Sequence, residues 1–298
     1  MKSISAFLSV ARAPFLLLPL TLIAVGTMAA RLEAPVSWSR AILALVGLIA
    51  LHMAVNIFNE ISDMRRGIDL ETKKTPFTGG SGALPEGLIS QESALVFGIV
   101  CSLAGLLVGI YFLRLIGLPI LILMIIGAIL VIGYSDFLAR IGIGEIAAGL
   151  GLGGLPVIGA ALVQQGHLGP AAIAAAIPSS LMTFNLLLLN EFPDEEADRR
   201  GGRKNILILF GRSAGARIYV LAALLTPLAI LGAILLGYLP PVSLLAMGPS
   251  LMLLRPSILL LRKPEEMPPL SSLAANVKWN LLSNTILALC LFIEKMPW

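Results

Sequence analysis

Two short polar segments with the same pattern of residue types interrupt an otherwise apolar chain. The first, "NEISD", runs from Asn59 to Asp63, and the second, "NEFPD", runs from Asn190 to Asp194. Each closes a long apolar run, and each is followed by Arg-Arg-Gly. Hard divalent cations take oxygen ligands, and Mg²⁺ binds through one or two carboxylates together with substrate phosphates. The repeated segment therefore predicts two carboxylate clusters that use cations to act on a phosphate-bearing substrate.

The spacing places the polar side chains of each segment on one face of a helix. In the first segment, the residues at i, i+3, i+4 and i+7 are Asn56, Asn59, Glu60 and Asp63. In the second, the residues at i, i+4 and i+8 are Asn190, Asp194 and Asp198. The second face requires that Pro193 only kinks its helix. Acidic groups are costly in lipid unless they face one another, water or a cation, so we expect the two faces to meet.

The elements that position these faces are transmembrane helices. The chain is 57% hydrophobic and 13% charged, whereas a soluble domain carries about 25% charged residues. A bilayer span takes roughly 20 mostly apolar residues. Nine such stretches lie near residues 13–31, 40–60, 93–113, 115–136, 143–164, 170–191, 214–237, 242–261 and 276–294. We therefore predict an all-α integral membrane protein, a bundle of about nine helices with a central cavity open to the cytoplasm, forming one polytopic domain over residues 1–298.

The distribution of Lys and Arg predicts the orientation of this bundle. With the N-terminus in the cytoplasm, most of the 21 basic residues fall in inner segments, as the positive-inside rule requires. Because eight further apolar runs follow the first, we expect that first run to be a retained helix rather than a cleaved signal. The prediction is a multi-pass protein of the cell (inner) membrane. Topology then explains the net charge of +4, which gives no reason to expect a nucleic-acid partner.

Basic residues accompany both acidic segments, and all five aspartates lie on the same cytoplasmic side. These cations are Lys73, Lys74, Arg140, Arg203 and Lys204. A bound diphosphate needs both Mg²⁺ to bridge its oxygens and Lys or Arg to neutralise the remaining charge. Each of these residues fits a purely topological role equally well.

Two further patterns leave alternatives open. The loop "TPFTGGSGALPEG", from Thr75 to Gly87, favours a flexible hinge or lid over a backbone phosphate nest. Asn276, Asn280 and Asn284 repeat every four residues in the last apolar run. Hydrogen bonds between helices and the lining of a cavity explain that stripe equally well.

With these two segments and nine predicted helices, the sequence resembles the UbiA superfamily of intramembrane prenyltransferases. "NIFNEISDMRRGID" is similar to the N-x-x-N-x-x-x-D-x-x-x-G-x-D motif of its menaquinone branch, and "NEFPDEEADRRGGRKN" to its second motif with a following basic pair. "GIGE" after Tyr134 and Arg140 resembles the family's loop between helices 4 and 5. Pro193, Thr75-Pro76 and Asn205 depart from that branch, which leaves the acceptor open.

The resemblance implies a reaction and assigns residues to it. One Mg²⁺ would bind Asn59, Asp63 and Asp69, and a second would bind Asn190, Asp194 and Asp198. The diphosphate would be held by Lys73, Lys74, Arg140, Arg203 and Lys204. The residues assigned to catalysis are Asp63, Asp194, Tyr134 and Arg140, with Tyr134 near the leaving oxygen. The implied substrates are a polyprenyl diphosphate and a small aromatic acceptor, and the oligomeric state is left open.

The preferred acceptor is 1,4-dihydroxy-2-naphthoate, in menaquinone biosynthesis. Prenyl transfer to 4-hydroxybenzoate, homogentisate or a glycerol-phosphate ether lipid stays an alternative. A secondary transporter is the alternative from another class, because intramembrane acids and Gly-rich helices also mark transporters. Carboxylates near the bilayer midplane would favour it. In this sequence the acids gather at one side of the predicted bundle.

Overall fold

The structure, a computed structural model, describes residues 4–72 and 74–294. In this part of the chain, nine helical segments are long and apolar enough to cross a membrane. They are Ala13–Arg31, Trp38–Arg65, Gln91–Ile116, Leu118–Ile141, Gly144–Gln165, Pro170–Arg200, Arg212–Leu235, Pro241–Arg262 and Leu270–Ile293. A helix satisfies its own backbone hydrogen bonds, which lipid requires. The predicted all-helical membrane class is confirmed.

Short helices and irregular turns complete these segments. The α-helices are α1 Ile4–Val10, α2 Leu17–Arg31, α3 Trp38–Arg65, α4 Ile68–Glu71, α5 Gln91–Ile116, α6 Leu118–Gly133, α7 Ala139–Ile141, α8 Gly144–Gly149, α9 Leu155–Gln165, α10 Pro170–Arg200, α11 Ile206–Phe210, α12 Arg212–Leu235, α13 Leu254–Arg262 and α14 Leu270–Ile293. Turns of π-helix at Tyr134–Leu138 and Leu150–Gly154 lie between α-helical pieces. A 3₁₀-helix, Pro241–Leu253, precedes α13.

The two helices that carry the repeated segments are longer than a bilayer needs. α3 has 28 residues and α10 has 31, so α10 spans about 46 Å against a hydrocarbon core of about 30 Å. α10 runs without a break through Pro193 to Arg200, as the predicted acidic face requires. The C-terminal turns of α3 and α10 lie together at one end of the bundle, where Arg203 pairs with Asp63 of α3 and Asp198 of α10. We call this end of the bundle the motif end.

Small residues let the inner helices pack closely. At Gly26 of α2, a Cβ atom would lie 2.2 Å from the Val157 carbonyl oxygen of α9. At Gly153, a Cβ would lie 2.7 Å from the Ser179 carbonyl oxygen of α10. Such contacts exclude any side chain, and small residues are how membrane helices approach one another.

The asparagine stripe of α14 joins this helix to α10. Asn276, Asn280 and Asn284, the asparagine ladder, are all fully buried. Asn276 Nδ2 donates to the Asn185 carbonyl oxygen at 2.9 Å, and Ser179 Oγ donates to Asn284 Oδ1 at 2.7 Å. No ladder residue lines either of the two cavities described below. The stripe therefore serves hydrogen bonding between helices.

Candidate active site

The six predicted metal ligands converge on one small polar pocket at the motif end. Its volume is about 80 Å³. The predicted ligands in its wall are Asn59, Asp63, Asp69, Asn190, Asp194 and Asp198. Because α3 and α10 end side by side, residues 131 positions apart in sequence line the same space.

The turn after α3 brings Asp69 back to the pocket that Asp63 lines. Gly67 has φ 75° and caps α4 in the left-handed conformation, which glycine adopts without steric cost. A Cβ at Gly67 would meet nothing within 4 Å. The requirement for glycine is therefore conformational, and it explains the spacing of the glycine and the last aspartate in the first motif.

Arg203 lies between the acidic groups of the two motifs. Its guanidinium forms ion pairs with Asp63 of α3 and Asp198 of α10, the latter at 3.4 Å. Burial alone would lower the pKa of Arg203, but the carboxylates of Asp63 and Asp198 outweigh it and raise that pKa. Asn205 Nδ2 also donates to Asp198 Oδ2, at 3.1 Å. The protein thus places one of its own cations where the two clusters meet.

The remaining oxygens of the pocket test whether a divalent cation fits. Asp69 Oδ2, Asn190 Oδ1 and Asp194 Oδ1 are buried, and no described residue donates a hydrogen bond to them. Burial and the nearby Asp63 and Glu60 raise the pKa of Asp69 to about 7. Buried acceptors without a donor are costly, and oxygen ligands are what Mg²⁺ takes. The residues present therefore fit Mg²⁺.

The arrangement differs from a metal cage built by protein alone. Among residues 4–72 and 74–294, no three His, Cys, Asp or Glu side chains are grouped tightly enough to hold an ion by themselves. Mg²⁺ binds few protein ligands when phosphate oxygens complete its coordination. The acidic pocket is thus suited to cations shared with a phosphate-bearing ligand.

The loop after α4 closes the pocket and contacts both motifs. The Gly79 N–H donates to Asp194 Oδ2 at 3.4 Å, and the Ser81 N–H donates to Glu60 Oε1 at 2.7 Å. Gly80 has φ 68°, and a Cβ there would lie 2.6 Å from Asp69 Oδ1. The N–H groups of Gly79 and Ser81 are engaged by carboxylates in this arrangement. Thr78, Gly79 and Gly80 of this loop line the pocket, and its role as a hinge or lid stays a prediction.

A much larger apolar cavity adjoins the polar pocket. Its volume is about 610 Å³, and its wall is mostly apolar side chains from α3, α5, α6 and α9. The residues that line both spaces are Arg12, Asn59, Phe77, Tyr134, Leu187 and Asn190. Tyr134 reaches this junction at the first residue of a π-helical turn. The combined space suits an amphiphile with an anionic head and a long apolar tail.

The predicted diphosphate cations do not all reach the site. Arg203 and Lys204 line the polar pocket. Arg140, on the short helix α7, and Lys74 are exposed and line neither cavity. Lys73 lies outside the described residues. The roles assigned to Arg140, Lys73 and Lys74 stay predictions.

Sequence reasoning missed two residues of the site. Arg12, which no sequence pattern singled out, lines both spaces, and its Nε donates to Glu60 Oε1 at 2.7 Å. Glu60 was placed on the acidic face without a role of its own. The signal at Arg12 is a single basic residue before Pro14, within "ARAPF". A partner 48 positions away is not visible in that signal.

The fold and the site together define a membrane-embedded protein with a pocket for an anionic lipid-like substrate. The sequence profile of the UbiA prenyltransferase family matches residues 17–282. The chain therefore belongs to the UbiA prenyltransferase family, and the family predicted from the two motifs is confirmed. It is a multi-pass membrane protein.

Known proteins of the family are similar to this chain at two levels. The 1,4-dihydroxy-2-naphthoate octaprenyltransferase of Bacillus subtilis is 25% identical over 200 residues, 64% of this chain and 61% of the relative. The apo structure of a UbiA homolog from Aeropyrum pernix K1 matches with a TM-score of 0.72 at 16% identity, over 92% of this chain and 96% of that one. A UbiA homolog from Archaeoglobus fulgidus, bound to GPP and Mg²⁺, matches with a TM-score of 0.68 at 16% identity, over 95% and 97%.

These similarities differ in what they establish. The alignments with the first curated relatives span about six tenths of the relatives' length. The structural likeness extends over nearly the whole chain, and at this identity it establishes the shared fold.

Proposed function

We propose that this protein, as a single polytopic domain, transfers a polyprenyl group from an allylic polyprenyl diphosphate to an aromatic acceptor in a Mg²⁺-dependent reaction. The observation that supports the proposal is that the apolar cavity and the acidic pocket adjoin and share lining residues. An apolar cavity of about 610 Å³ opens onto an acidic pocket that all six predicted Mg²⁺ ligands line. A polyprenyl diphosphate has the matching shape, with an apolar tail and a charged head.

The residues divide the work of binding the donor. Mg²⁺ would be held by Asn59, Asp63 and Asp69 on one side and by Asn190, Asp194 and Asp198 on the other. When bound, Mg²⁺ supplies Lewis-acid stabilisation of the negative charge that develops on a leaving diphosphate. The homolog from A. fulgidus bound to GPP and Mg²⁺ supports a prenyl diphosphate and Mg²⁺ as the ligands.

The protein's own cations and apolar walls do the rest. Arg203 and Lys204 neutralise charge that the metal leaves on the diphosphate. Tyr134, at the junction of the two spaces, is positioned beside the bond that breaks. The apolar cavity holds the isoprenoid tail and keeps water from the allylic cation before an electron-rich ring carbon attacks it. The ring then regains its aromaticity by losing a proton, or its carboxylate as CO2, from the attacked carbon.

The preferred acceptor is 1,4-dihydroxy-2-naphthoate, which makes the reaction a step of menaquinone biosynthesis. The name of the B. subtilis relative supports this choice, as does the first-motif pattern. We further propose a cell-membrane location with the N-terminus and the motif end in the cytoplasm, on the distribution of Lys and Arg.

The placement of carboxylates argues against the transporter alternative. Transport sites lie near the bilayer midplane. In the described part of the chain, the buried acidic residues are Glu60, Asp63, Asp69, Glu145, Glu191 and Asp198, and all belong to the motif end. The buried polar residues of α14 are the neutral Ser272, Asn276, Asn280, Ser283 and Asn284.

The test uses purified protein in nanodiscs with an all-trans polyprenyl diphosphate, Mg²⁺ and 1,4-dihydroxy-2-naphthoate. Product is detected by mass spectrometry, with EDTA, Asp63→Ala and Asp194→Ala as controls. We expect a prenylated product, with the carboxylate retained or lost as CO2, that disappears in all three controls. Diphosphate release without that product would reject the acceptor alone. With neither product nor release from any donor, the proposal would be wrong.

A further inference from the structure

Glu60 is a completely buried carboxylate that is already fully engaged. It is 0% exposed. Its Oε1 accepts from Arg12 Nε and from the Ser81 N–H, each at 2.7 Å, and its Oε2 accepts from Ser81 Oγ, also at 2.7 Å. Both carboxylate oxygens of Glu60 therefore have donors, whereas Asp69 Oδ2 and Asp194 Oδ1 have none among the described residues. Glu60 ties the segment before α2, helix α3 and the closing loop to one point.

Arg12 is held there in an unusual backbone conformation. With φ 52° and ψ 52°, it is the one non-glycine residue with positive φ in the described part of the chain. Residues in sparsely populated conformations persist only where their surroundings over-determine them, and they cluster at functional sites. The surroundings do so here, since Asn56 Nδ2 donates to the Ala11 carbonyl oxygen at 3.0 Å. The fold thus fixes both ends of the Arg12 side chain.

The rest of the Arg12 guanidinium is free to bind a ligand. Nε is used by Glu60, and no described residue accepts a hydrogen bond from Nη1 or Nη2. The side chain is 23% exposed, and it lines both the apolar cavity and the polar pocket. Burial alone would lower the pKa of Arg12, but Glu60, with Asp69 and Asp63 nearby, raises it. A fixed guanidinium fork is the group that binds oxyanions through two parallel hydrogen bonds.

We propose that Arg12 is an oxyanion-binding residue at the junction of the two spaces, and that Glu60 is its positioning residue. The inference rests on the proposed function, because the oxyanion belongs either to the diphosphate of the prenyl donor or to the carboxylate of the aromatic acceptor. Both are planar or tetrahedral groups that a guanidinium fork matches. Glu60 orients the Arg12 guanidinium and also accepts hydrogen bonds from Ser81 of the closing loop.

The experiment measures donor and acceptor separately in nanodiscs for wild type, Arg12→Gln, Arg12→Lys and Glu60→Gln. Arg200→Gln is the matched control, because Arg200 is an exposed cation at the same end of the bundle and pairs with exposed Glu71 and Glu196. Isothermal titration with Mg²⁺ and geranylgeranyl diphosphate gives the donor Kd, and steady-state rates give kcat and each KM.

Arg12→Gln is expected to weaken one ligand about tenfold or more, as loss of a charge-assisted hydrogen bond does, with a much smaller change in kcat. A raised donor Kd identifies the diphosphate as the bound oxyanion. A raised KM for 1,4-dihydroxy-2-naphthoate, but not for 1,4-naphthohydroquinone, identifies the carboxylate. Arg12→Lys should recover part of the loss, and Arg200→Gln should match wild type. Values for Arg12→Gln within twofold of wild type for both ligands would overturn the proposal.

The role of Glu60 has its own signature. Residues that act through one another are non-additive in a double-mutant cycle. Glu60→Gln should therefore shift the same ligand as Arg12→Gln, and the double variant should be no worse than Arg12→Gln alone. Additive losses would make Glu60 merely structural. Ser81→Ala, which keeps the backbone donor, replaces Glu60→Gln in the cycle if that variant does not fold.

Failure of the proposed function gives a different result from failure of this inference. If wild type turned over no prenyl diphosphate, the proposed function would be wrong. Titration of Mg²⁺ with inorganic diphosphate, and of 1,4-dihydroxy-2-naphthoate alone, would still compare wild type with Arg12→Gln. Equal binding of both probes by the two proteins would reject the role of Arg12.

Discussion

Helix α10 contacts two buried polar clusters a few turns apart, the asparagine ladder of α14 and the acidic pocket, and they are satisfied in opposite ways. In the asparagine ladder, the side-chain amide atoms of Asn276, Asn280 and Asn284 all have hydrogen-bond partners within the protein. In the acidic pocket, Asp69 Oδ2 and Asp194 Oδ1 are buried with no donor among the described residues. A buried polar group that the protein completes itself is structural, whereas one that it leaves incomplete requires a ligand.

The difference follows from charge. An amide can both donate and accept, so amides and hydroxyls of adjacent helices satisfy one another without any ion. Ionised carboxylates only accept, and several held together repel. Of the basic residues that line the pocket, Arg203 pairs with Asp63 and Asp198. Asp194 and Asp69 are left for ions from outside.

Substituting Asp194 by Asn should have the largest effect on activity, because it alters the acidic pocket and leaves the asparagine ladder unchanged. The change keeps the shape and removes a charge that no described side chain pairs. We expect the rate of prenyl transfer to fall more than about 100-fold, since even residues behind the ligands cost 10–100-fold in metal sites. The metal-free protein should unfold at the same or a higher temperature, because replacing an unpaired buried charge relieves repulsion. Product formation and thermal unfolding in detergent measure the two effects.

The control for this variant is Glu266→Gln, which removes an exposed carboxylate paired with Lys263 at 2.7 Å. It should leave both the rate and the unfolding temperature unchanged. An Asp194→Asn protein that retained most of its activity would show that Asp194 is not a ligand. One that unfolded much earlier would show that the carboxylate is structural, as the ladder amides are.

Mg²⁺ with inorganic diphosphate should stabilise the acidic pocket and leave the ladder unaffected. A ligand that binds only the folded state at about 100 times its Kd adds about 2.7 kcal/mol. We expect a higher unfolding temperature for wild type, and removal of the ions with EDTA should reverse it. Asp194→Asn should lose this shift, whereas a ladder variant should keep it. An equal shift in Asp194→Asn and wild type would place the bound ions elsewhere.

Substituting Asn280 by Leu tests the other half of the comparison. The change leaves Thr183 Oγ1 without its donor and Asn284 Nδ2 without its side-chain acceptor. We expect a loss of about 1 kcal/mol in the free energy of unfolding, the size measured for such bonds in membrane proteins. The KM values of correctly folded protein should not change. A selective rise in the donor KM would mean that the ladder contributes to the site after all.

Helical spacing predicted the asparagine stripe and the two polar faces for the same reason. Helical periodicity is local, so Asn59 with Asp63 and Asn190 with Asp194 could be placed on faces directly from spacing. The contacts that spacing could not predict join segments that are distant in sequence. Arg12 meets Glu60 across 48 positions, and Arg203 meets Asp63 only because α3 and α10 end together. Spacing also cannot tell whether an asparagine finds a partner on another helix.

The predicted diphosphate cations give the smallest and most discriminating comparison. Lys204 and Arg140 are both exposed, but only Lys204 lines the pocket. We therefore expect Lys204→Gln to raise the donor KM several-fold and Arg140→Gln to raise it less. The effect of Lys204→Gln should be no larger, because an exposed ion pair is worth at most about 1 kcal/mol. Steady-state kinetics in nanodiscs, with Arg199→Gln as a control for an exposed cation paired to Glu195 at 2.8 Å, measure both. If Arg140→Gln caused the larger loss, the family assignment of Arg140 would hold. The segment around α7 would then have to close over the donor, since the arrangement described here leaves its guanidinium outside the pocket.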